Sequence, residues 1–155
     1  ETAPNMGKQI VGFQAMMAWA AETFAGLFSG YRLSVRESHQ QGKADTSGTA
    51  RAMLGYFREL GAPLADEAIQ MERDPAVQRK HWGVPEAHLG GHGWHTYTLT
   101  SPDGTVMFQF KHNINGRDIY APGAFDAVAF LADRVDAGDA GRVFSMIDVL
   151  RRPVR

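Results

Sequence analysis

The chain has 155 residues, 44% hydrophobic and 21% charged, the balance of one soluble globular domain (1–155) large enough to bury a core of its own. A formal net charge of −1 gives no electrostatic reason to expect nucleic acid or an acidic membrane as partner, and the absence of cysteine excludes disulfides and thiolate chemistry. Gln14 and Glu22 interrupt the most apolar stretch, so no uncharged span of about 20 residues is present and no transmembrane helix is expected. The chain has no initiator Met and begins Glu1-Thr2-Ala3-Pro4 with no signal-like region, so the expectation is a processed or truncated product.

In chain order, Ala3-Pro4-Asn5-Met6-Gly7 reads as a turn entering a long helix. Ile10, Val11, Phe13, Met17, Ala20, Ala21, Phe24 and Leu27 recur at three- and four-residue steps, and Ser29-Gly30 stops the pattern. Tyr31 to Arg36 alternates apolar and polar residues, as a half-buried strand does. A polar stretch, Glu37 to Ala50, comes next as a loop into a second helix carrying Ala52, Met53, Tyr56, Phe57 and Leu60, closed by Gly61. Ile69 to Arg73 suggests a short strand before Asp74-Pro75, and Ala76 to Gly93 reads as a long ordered loop. Trp94–Thr100 and Thr105–Ile114 flank Ser101-Pro102-Asp103-Gly104, a strong turn sequence, and predict a β-hairpin. Asn115-Gly116 predicts a further turn into a third strand over Arg117 to Tyr120. A helix from about Gly123 to Val135 is expected to turn Ala124, Ala127, Val128, Leu131 and Val135 inward, and a short amphipathic tail, Val143 to Leu150, ends the pattern. The whole is an α+β fold: a mixed, mostly antiparallel sheet with helices packed on one face.

The chemistry concentrates in Glu37-Ser38-His39-Gln40-Gln41-Gly42-Lys43-Ala44-Asp45-Thr46-Ser47-Gly48-Thr49-Ala50. A strand-to-helix loop is where α/β proteins tend to carry function. His39 exchanges protons near neutral pH and Lys43 brings a positive charge. Ser47-Gly48-Thr49 opens a helix, whose first turn has free N–H groups that favour anions. Each of these has an ordinary structural reading: a loop histidine, a solvated lysine, a capping hydroxyl. Their convergence points instead to protonation of a bound carboxylate-bearing molecule. His88, His92 and His95 are not expected to hold a metal, because Gly90-Gly91 breaks the helix that would align them.

The same residues carry a family resemblance. Glu37, His39, Lys43, Asp45 and Ser47-Gly48-Thr49-Ala50 resemble the substrate loop of dihydrodipicolinate reductase, and Glu-Ser-His-Gln resembles its plant-type branch. Bacterial members more often have a second His at the position of Gln40 and one extra residue before Ser-Gly-Thr. Gly91-His92, the run His112 to Arg117 and Ser145 to Leu150 support the likeness, which extends from Ala3 to about Arg151.

The resemblance implies the C-terminal, substrate-binding half of an NADH- or NADPH-dependent reductase of lysine and diaminopimelate biosynthesis. Its substrate would be a small dicarboxylate, 4-hydroxy-tetrahydrodipicolinate. It implies His39 as general acid and Lys43 as its catalytic partner. Gln40, Ser47, Gly48, Thr49 and Arg117 would lie at the substrate, and Ala3, Pro4, Asn5 and Met6 near the nicotinamide. It also implies a homotetramer assembled through the sheet, and a plastid stroma location for a plant or algal protein, otherwise cytoplasmic. No Gly-x-Gly-x-x-Gly follows a strand, so no Rossmann domain is expected in this chain. Side chains cannot supply a hydride, and the chain alone is expected to be inactive. The alternative is a stand-alone, non-catalytic binding or assembly module with the same fold.

Overall fold

A computed structural model describes residues 5–139 and 141–151. They divide into two compact units, one formed by residues 17–116 and the other by residues 5–16 with 117–139 and 141–151. Helix α1 (Lys8–Thr23) contributes its first half to the latter and its second half to the former.

In the 17–116 unit the strand that follows α1 is longer than the alternation predicts. Strand β1 runs Arg32–His39 rather than ending at Arg36, so Glu37, Ser38 and His39 are strand, not loop. Polar residues persist in this strand because it is paired on both sides. β2 (Gln70–Glu72) lies parallel to it with Ser38 opposite Glu72, and β3 (His92–Thr100) lies antiparallel with His39 opposite Gly93. β4 (Met107–Asn115) pairs with β3 and completes a mixed sheet of order β2-β1-β3-β4.

A parallel neighbour requires a crossover connection. Here it is made through α2 (Gly48–Glu59), so the chain leaves the C-terminal end of β1 and immediately starts a helix. Ala50, Met53, Leu54 and Phe57 of α2 are buried, together with Leu33, Val35, Tyr97 and Leu99 on one sheet face. The Phe57 ring lies 5.6 Å from Tyr97 and 5.8 Å from Phe110. Burial of a side chain of this size contributes roughly 1.5–3 kcal/mol.

The differences from expectation have local causes. α1 stops at Thr23 because the next turn is claimed by other carbonyls: Gly26 N–H donates to Glu59 O and Phe28 N–H to Leu60 O. Phe24 and Leu27 are therefore exposed rather than on a continuous apolar face. Residues 75–88 form short turns of helix, namely α3 (Pro75–Val77) capped by the Asp74 carboxylate, a wider turn Gln78–Trp82 ended by Gly83, and a tight turn Glu86–His88. Each is too short for an apolar period to be read.

In the other unit no third strand forms. Asn115-Gly116 ends β4, and Tyr120 N–H donates to Arg117 O as the chain turns into α4 (Tyr120–Asp136). Pro122 is tolerated in the first turn, where its missing N–H is not needed. The expected inward face is also displaced. Gly123 and Phe130 are buried while Val128, Leu131 and Val135 are exposed, because the Met6 carbonyl lies where a Gly123 side chain would be and Phe130 packs on Phe144 at 5.2 Å. Helix α5 (Met146–Leu150) opens with a capping box between Ser145 and Asp148.

Gly61 closes α2 with φ +92°, its N–H donating to Arg58 O and that of Ala62 to Phe57 O. A Cβ there would lie 2.6 Å from Ser29 Oγ and 2.9 Å from Ser29 N. Gly104, at φ +74° in the hairpin turn, meets nothing. Gly61→Ala should therefore cost more than the ~1–2 kcal/mol of a left-handed residue alone, and Gly104→Ala should cost about that much. Urea unfolding of both variants checks this, and equal losses would remove the Ser29 contact as the cause.

Candidate active site

The β1–α2 loop is tied at both ends to one carboxylate. Glu37, on the core face of β1, has no solvent exposure. One of its oxygens accepts from Arg73 Nη2 and the other from the backbone N–H of Ser47, the residue that starts α2, at 3.2 Å. Arg73 also donates through Nε to Lys43 O at 2.9 Å and through Nη2 to Asp45 O at 3.4 Å. The carboxylate and guanidinium thus fix the strand end, the middle of the loop and the helix start. Gln78 adds a second tie, its buried amide donating to His39 O at 2.6 Å and Glu72 O at 3.1 Å, across the ends of the parallel pair.

Strand periodicity puts His39 on the same face as Glu37, and the register brings His95 between them. His39 Nε2 lies 3.3 Å from His95 Nε2, and that atom lies 3.6 Å from Glu37 Oε2. His39 Nδ1 donates to His92 O at 3.0 Å. Opposite His39 stands Gly93, where a Cβ would sit 3.1 Å from His39 Cε1, so the glycine makes room for the ring. His112, the cross-strand neighbour of His95 on β4, stacks on it at 4.7 Å. On the reverse face, Ser38 Oγ and His92 Nε2 are 2.7 Å apart, and His92 Nδ1 donates to His88 O at 3.0 Å.

Burial pushes the Glu37 carboxyl up, but hydrogen bonds from His95, Arg73 and the Ser47 N–H outweigh it and hold the group at about 2. Burial and the neighbouring His95 push His39 down to about 4, with Glu37 opposing. Burial, then His95, takes His112 to about 4, and burial lowers His92 as well. Lys43 Nζ pairs with Asp45 Oδ1 at 2.8 Å and holds that exposed carboxyl below its usual value.

Glu37, His39 and His95 offer three donor atoms within 4.8 Å of one another, the one such group among the described residues. It differs from the histidine set weighed in the sequence. The Glu37 charge is already neutralised by Arg73, which disfavours a cation at the same carboxylate.

Of the residues singled out in the sequence, His39, Gln40, Lys43, Ser47, Gly48 and Thr49 fall in the 17–116 unit on one strand–loop–helix segment. Ser47 is buried and spends its N–H on Glu37, so the first-turn N–H groups of α2 that do not serve that carboxylate are those of Gly48, Thr49 and Ala50. The carbonyl of Gln40 accepts from Lys43 N–H at 3.0 Å, closing the first turn of the loop. Arg117, Asn5 and Met6 belong to the other unit, and Ala3 and Pro4 lie outside the described residues. Sequence reading assigns no site role to Arg73, Gln78 or Gly93, and weighs His92 and His95 only as metal ligands. Only the alternation of Gly93 and His95 along β3 hinted at a shared face, and its partner strand is set by register.

The sequence model described as "Dihydrodipicolinate reductase, C-terminus" matches residues 10–150. The chain belongs to that family. It is 53% identical over 149 residues to 4-hydroxy-tetrahydrodipicolinate reductase 1, chloroplastic, of Arabidopsis thaliana, covering 96% of this chain and 43% of that protein. Identity is 51% to the probable chloroplastic reductase 2 of Oryza sativa subsp. japonica, with 96% and 46% covered. With 4-hydroxy-tetrahydrodipicolinate reductase of Ralstonia nicotianae it is 31% over 153 residues, with 96% and 54% covered. The chain therefore spans about half the length of the curated reductases it matches.

Two outcomes are expected for this reductase-family site. His39 and His112 are held below the ordinary histidine value of 6.5, so as pH falls from about 6.5 toward about 4 the unfolded chain takes up protons that the fold refuses. Stability should fall across that window, and Glu37 should extend the loss between 4.5 and about 2. Urea midpoints from pH 7 to 4 should decline, less steeply in His112→Asn; an unchanged slope in the variant would count against it. Separately, Arg73→Leu leaves the Glu37 charge buried without its partner and should cost about 3–5 kcal/mol, partly recovered in Glu37→Gln/Arg73→Leu. Denaturation of the single and double variants measures the recovery, and none would mean the pair is not what the loop depends on.

Proposed function

We propose that this chain is the substrate-binding and catalytic half of an NAD(P)H-dependent 4-hydroxy-tetrahydrodipicolinate reductase, acting in lysine and diaminopimelate biosynthesis. The observation that carries the reading is the Glu37–Arg73–Ser47 tie, which holds His39, Lys43 and the first turn of α2 to one short segment of a reductase-family chain. The names of the plant relatives supply the reaction and favour a plastid location.

In this reading the substrate carboxylates bind the N–H groups of Gly48 and Thr49 and the hydroxyls of Ser47 and Thr49, with Gln40 and Arg117 as further contacts. Lys43 leaves Asp45 to neutralise carboxylate charge and assists proton delivery. His39 is the general acid: its Nδ1 is committed to the His92 carbonyl, so Nε2 is the atom that gives the proton. Gly90-Gly91-His92-Gly93 leads into β3 and not into a helix, so this glycine run is not read as a phosphate-binding turn. The nicotinamide supplies hydride when bound, and is assigned to a separate dinucleotide-binding domain, with Ala3, Pro4, Asn5 and Met6 at its edge. Assembly is assigned to a homotetramer through the sheet, whose face bearing Arg32, Arg36, Gln109 and Lys111 is exposed.

In the full-length protein, His39→Asn should lower kcat by about 10²–10⁴-fold with little change in binding of pyridine-2,6-dicarboxylate. Lys43→Ala/Thr49→Ala should abolish that binding in calorimetric titration. Full turnover in His39→Asn would refute the acid assignment, and retained binding in the double variant would refute the anion site.

A further inference from the structure

We propose that His92 is a positioning residue for His39: Ser38 and the His88 carbonyl clamp its ring on the reverse face of the sheet, and its own carbonyl thereby fixes which His39 nitrogen carries hydrogen. The catalytic consequence rests on the reading of His39 as the proton donor.

Each hydrogen bond of the clamp has one donor and one acceptor. A backbone carbonyl only accepts, so His92 Nδ1, 3.0 Å from His88 O, carries a hydrogen. Neutral His92 then has its lone pair at Nε2, which accepts from the Ser38 hydroxyl at 2.7 Å. Burial holds His92 below its ordinary value and keeps that lone pair free at neutral pH. A serine hydroxyl on an imidazole nitrogen is also the arrangement of a nucleophile and its base, but Ser38 has no solvent exposure, so no substrate reaches it. The pair is a tie, and what it ties down is the His92 peptide.

The glycines around His92 make that tie necessary. In Gly90-Gly91-His92-Gly93 only His92 has a side chain beyond hydrogen. A Cβ at Gly90 or Gly91 would meet nothing within 4 Å, so packing does not fix this run. Gly91 N–H donates to His88 O at 3.0 Å and Gly91 O accepts from Gly116 N–H at 2.9 Å, but neither bond reaches β1. Pairing of β1 with β3 ends at His39 opposite Gly93, one residue short of His92. The ring therefore anchors to β1 the residue that lies just past the paired region. Neighbouring strand residues leave on opposite faces, so Ser38 and His39 reach the two sides of the sheet. His92 meets both, its ring on Ser38 and its carbonyl on His39 Nδ1 at 3.0 Å. That carbonyl requires a hydrogen on His39 Nδ1, which sets the neutral ring as the Nδ1–H tautomer and leaves Nε2 as the nitrogen that exchanges a proton. No proton passes through His92 itself.

The experiment is imidazole ¹⁵N spectroscopy at neutral pH on the histidine-labelled full-length protein, with the His39 signals assigned by their loss in His39→Asn, beside kcat and KM. Wild-type His39 should be a single Nδ1–H tautomer. Ser38→Ala removes the hydroxyl and little else, and His39 should become a mixture of the two tautomers. In that variant kcat should fall by about 10-fold or more, while KM stays within about twofold. His92→Gln keeps an acceptor for Ser38 but loses the bond to His88, and should lie between. Leu99→Ala, in the buried core away from the clamp, should lose stability with the His39 tautomer unmoved. A single Nδ1–H tautomer in both Ser38→Ala and His92→Gln would overturn the proposal whatever their kinetics. A mixture in Leu99→Ala as well would reduce the effect to general loosening and overturn it too, as would unchanged kcat beside a shifted tautomer. Full turnover in His39→Asn would instead remove the acid reading, and the tautomer in Ser38→Ala would still decide the clamp.

Discussion

A carboxylate with no access to water must be compensated where it stands, and at Glu37 the compensation is drawn from three distant parts of the chain. Arg73 comes from beyond β2, the Ser47 N–H from the start of α2, and His95 from the middle of β3. None of these is replaceable by solvent, because the site is dry. The geometry of the loop that carries Lys43 is therefore a consequence of burying one charge.

The same charge organises the imidazoles. His39 and His112 are driven toward neutrality by burial and by His95, whereas Glu37 is driven to remain ionised by its donors. Neighbouring groups whose protonation is pushed in opposite directions are a common property of sites that move protons. The row Glu37–His95–His112 across three strands, with His39 opposite Gly93 beyond it, is built at the end of the sheet where β1 leads into α2. That end is where a parallel β–α–β crossover also delivers a helix N-terminus. Titratable side chains and a helix N-terminus thus meet through topology rather than through any one motif.

Much of the fold was legible because its elements bury one face. The core helix carrying Met53 and Phe57, the hairpin across Ser101-Pro102-Asp103-Gly104 and the mixed sheet are consequences of periodicity and turn chemistry. The failures are equally physical. Alternation alone ends β1 three residues short because Glu37-Ser38-His39 is polar, and polar residues in a strand are explained only by partners outside it. In place of a third strand, Asn115-Gly116 leads through a turn into a helix, since a hairpin signal specifies a reversal and not the type of the next element. On α4 the apolar residues Val128, Leu131 and Val135 stand exposed while Gly123, with no side chain at all, is buried by a backbone contact that no hydropathy pattern encodes.

The candidate site divides along the same line. Sequence by itself determined the family, through the contiguous order of Glu37, His39, Lys43 and Ser47-Gly48-Thr49, because those residues lie within one loop's length and their spacing is preserved in the chain. Tertiary structure alone decided that His39 faces His95, that Arg73 and not Lys43 neutralises Glu37, and that Ser47 spends its N–H on that carboxylate. The physical reason is register: which residues stand opposite one another across a sheet is set by the pairing of strands far apart in sequence. A one-residue slip would turn every one of them to the other face.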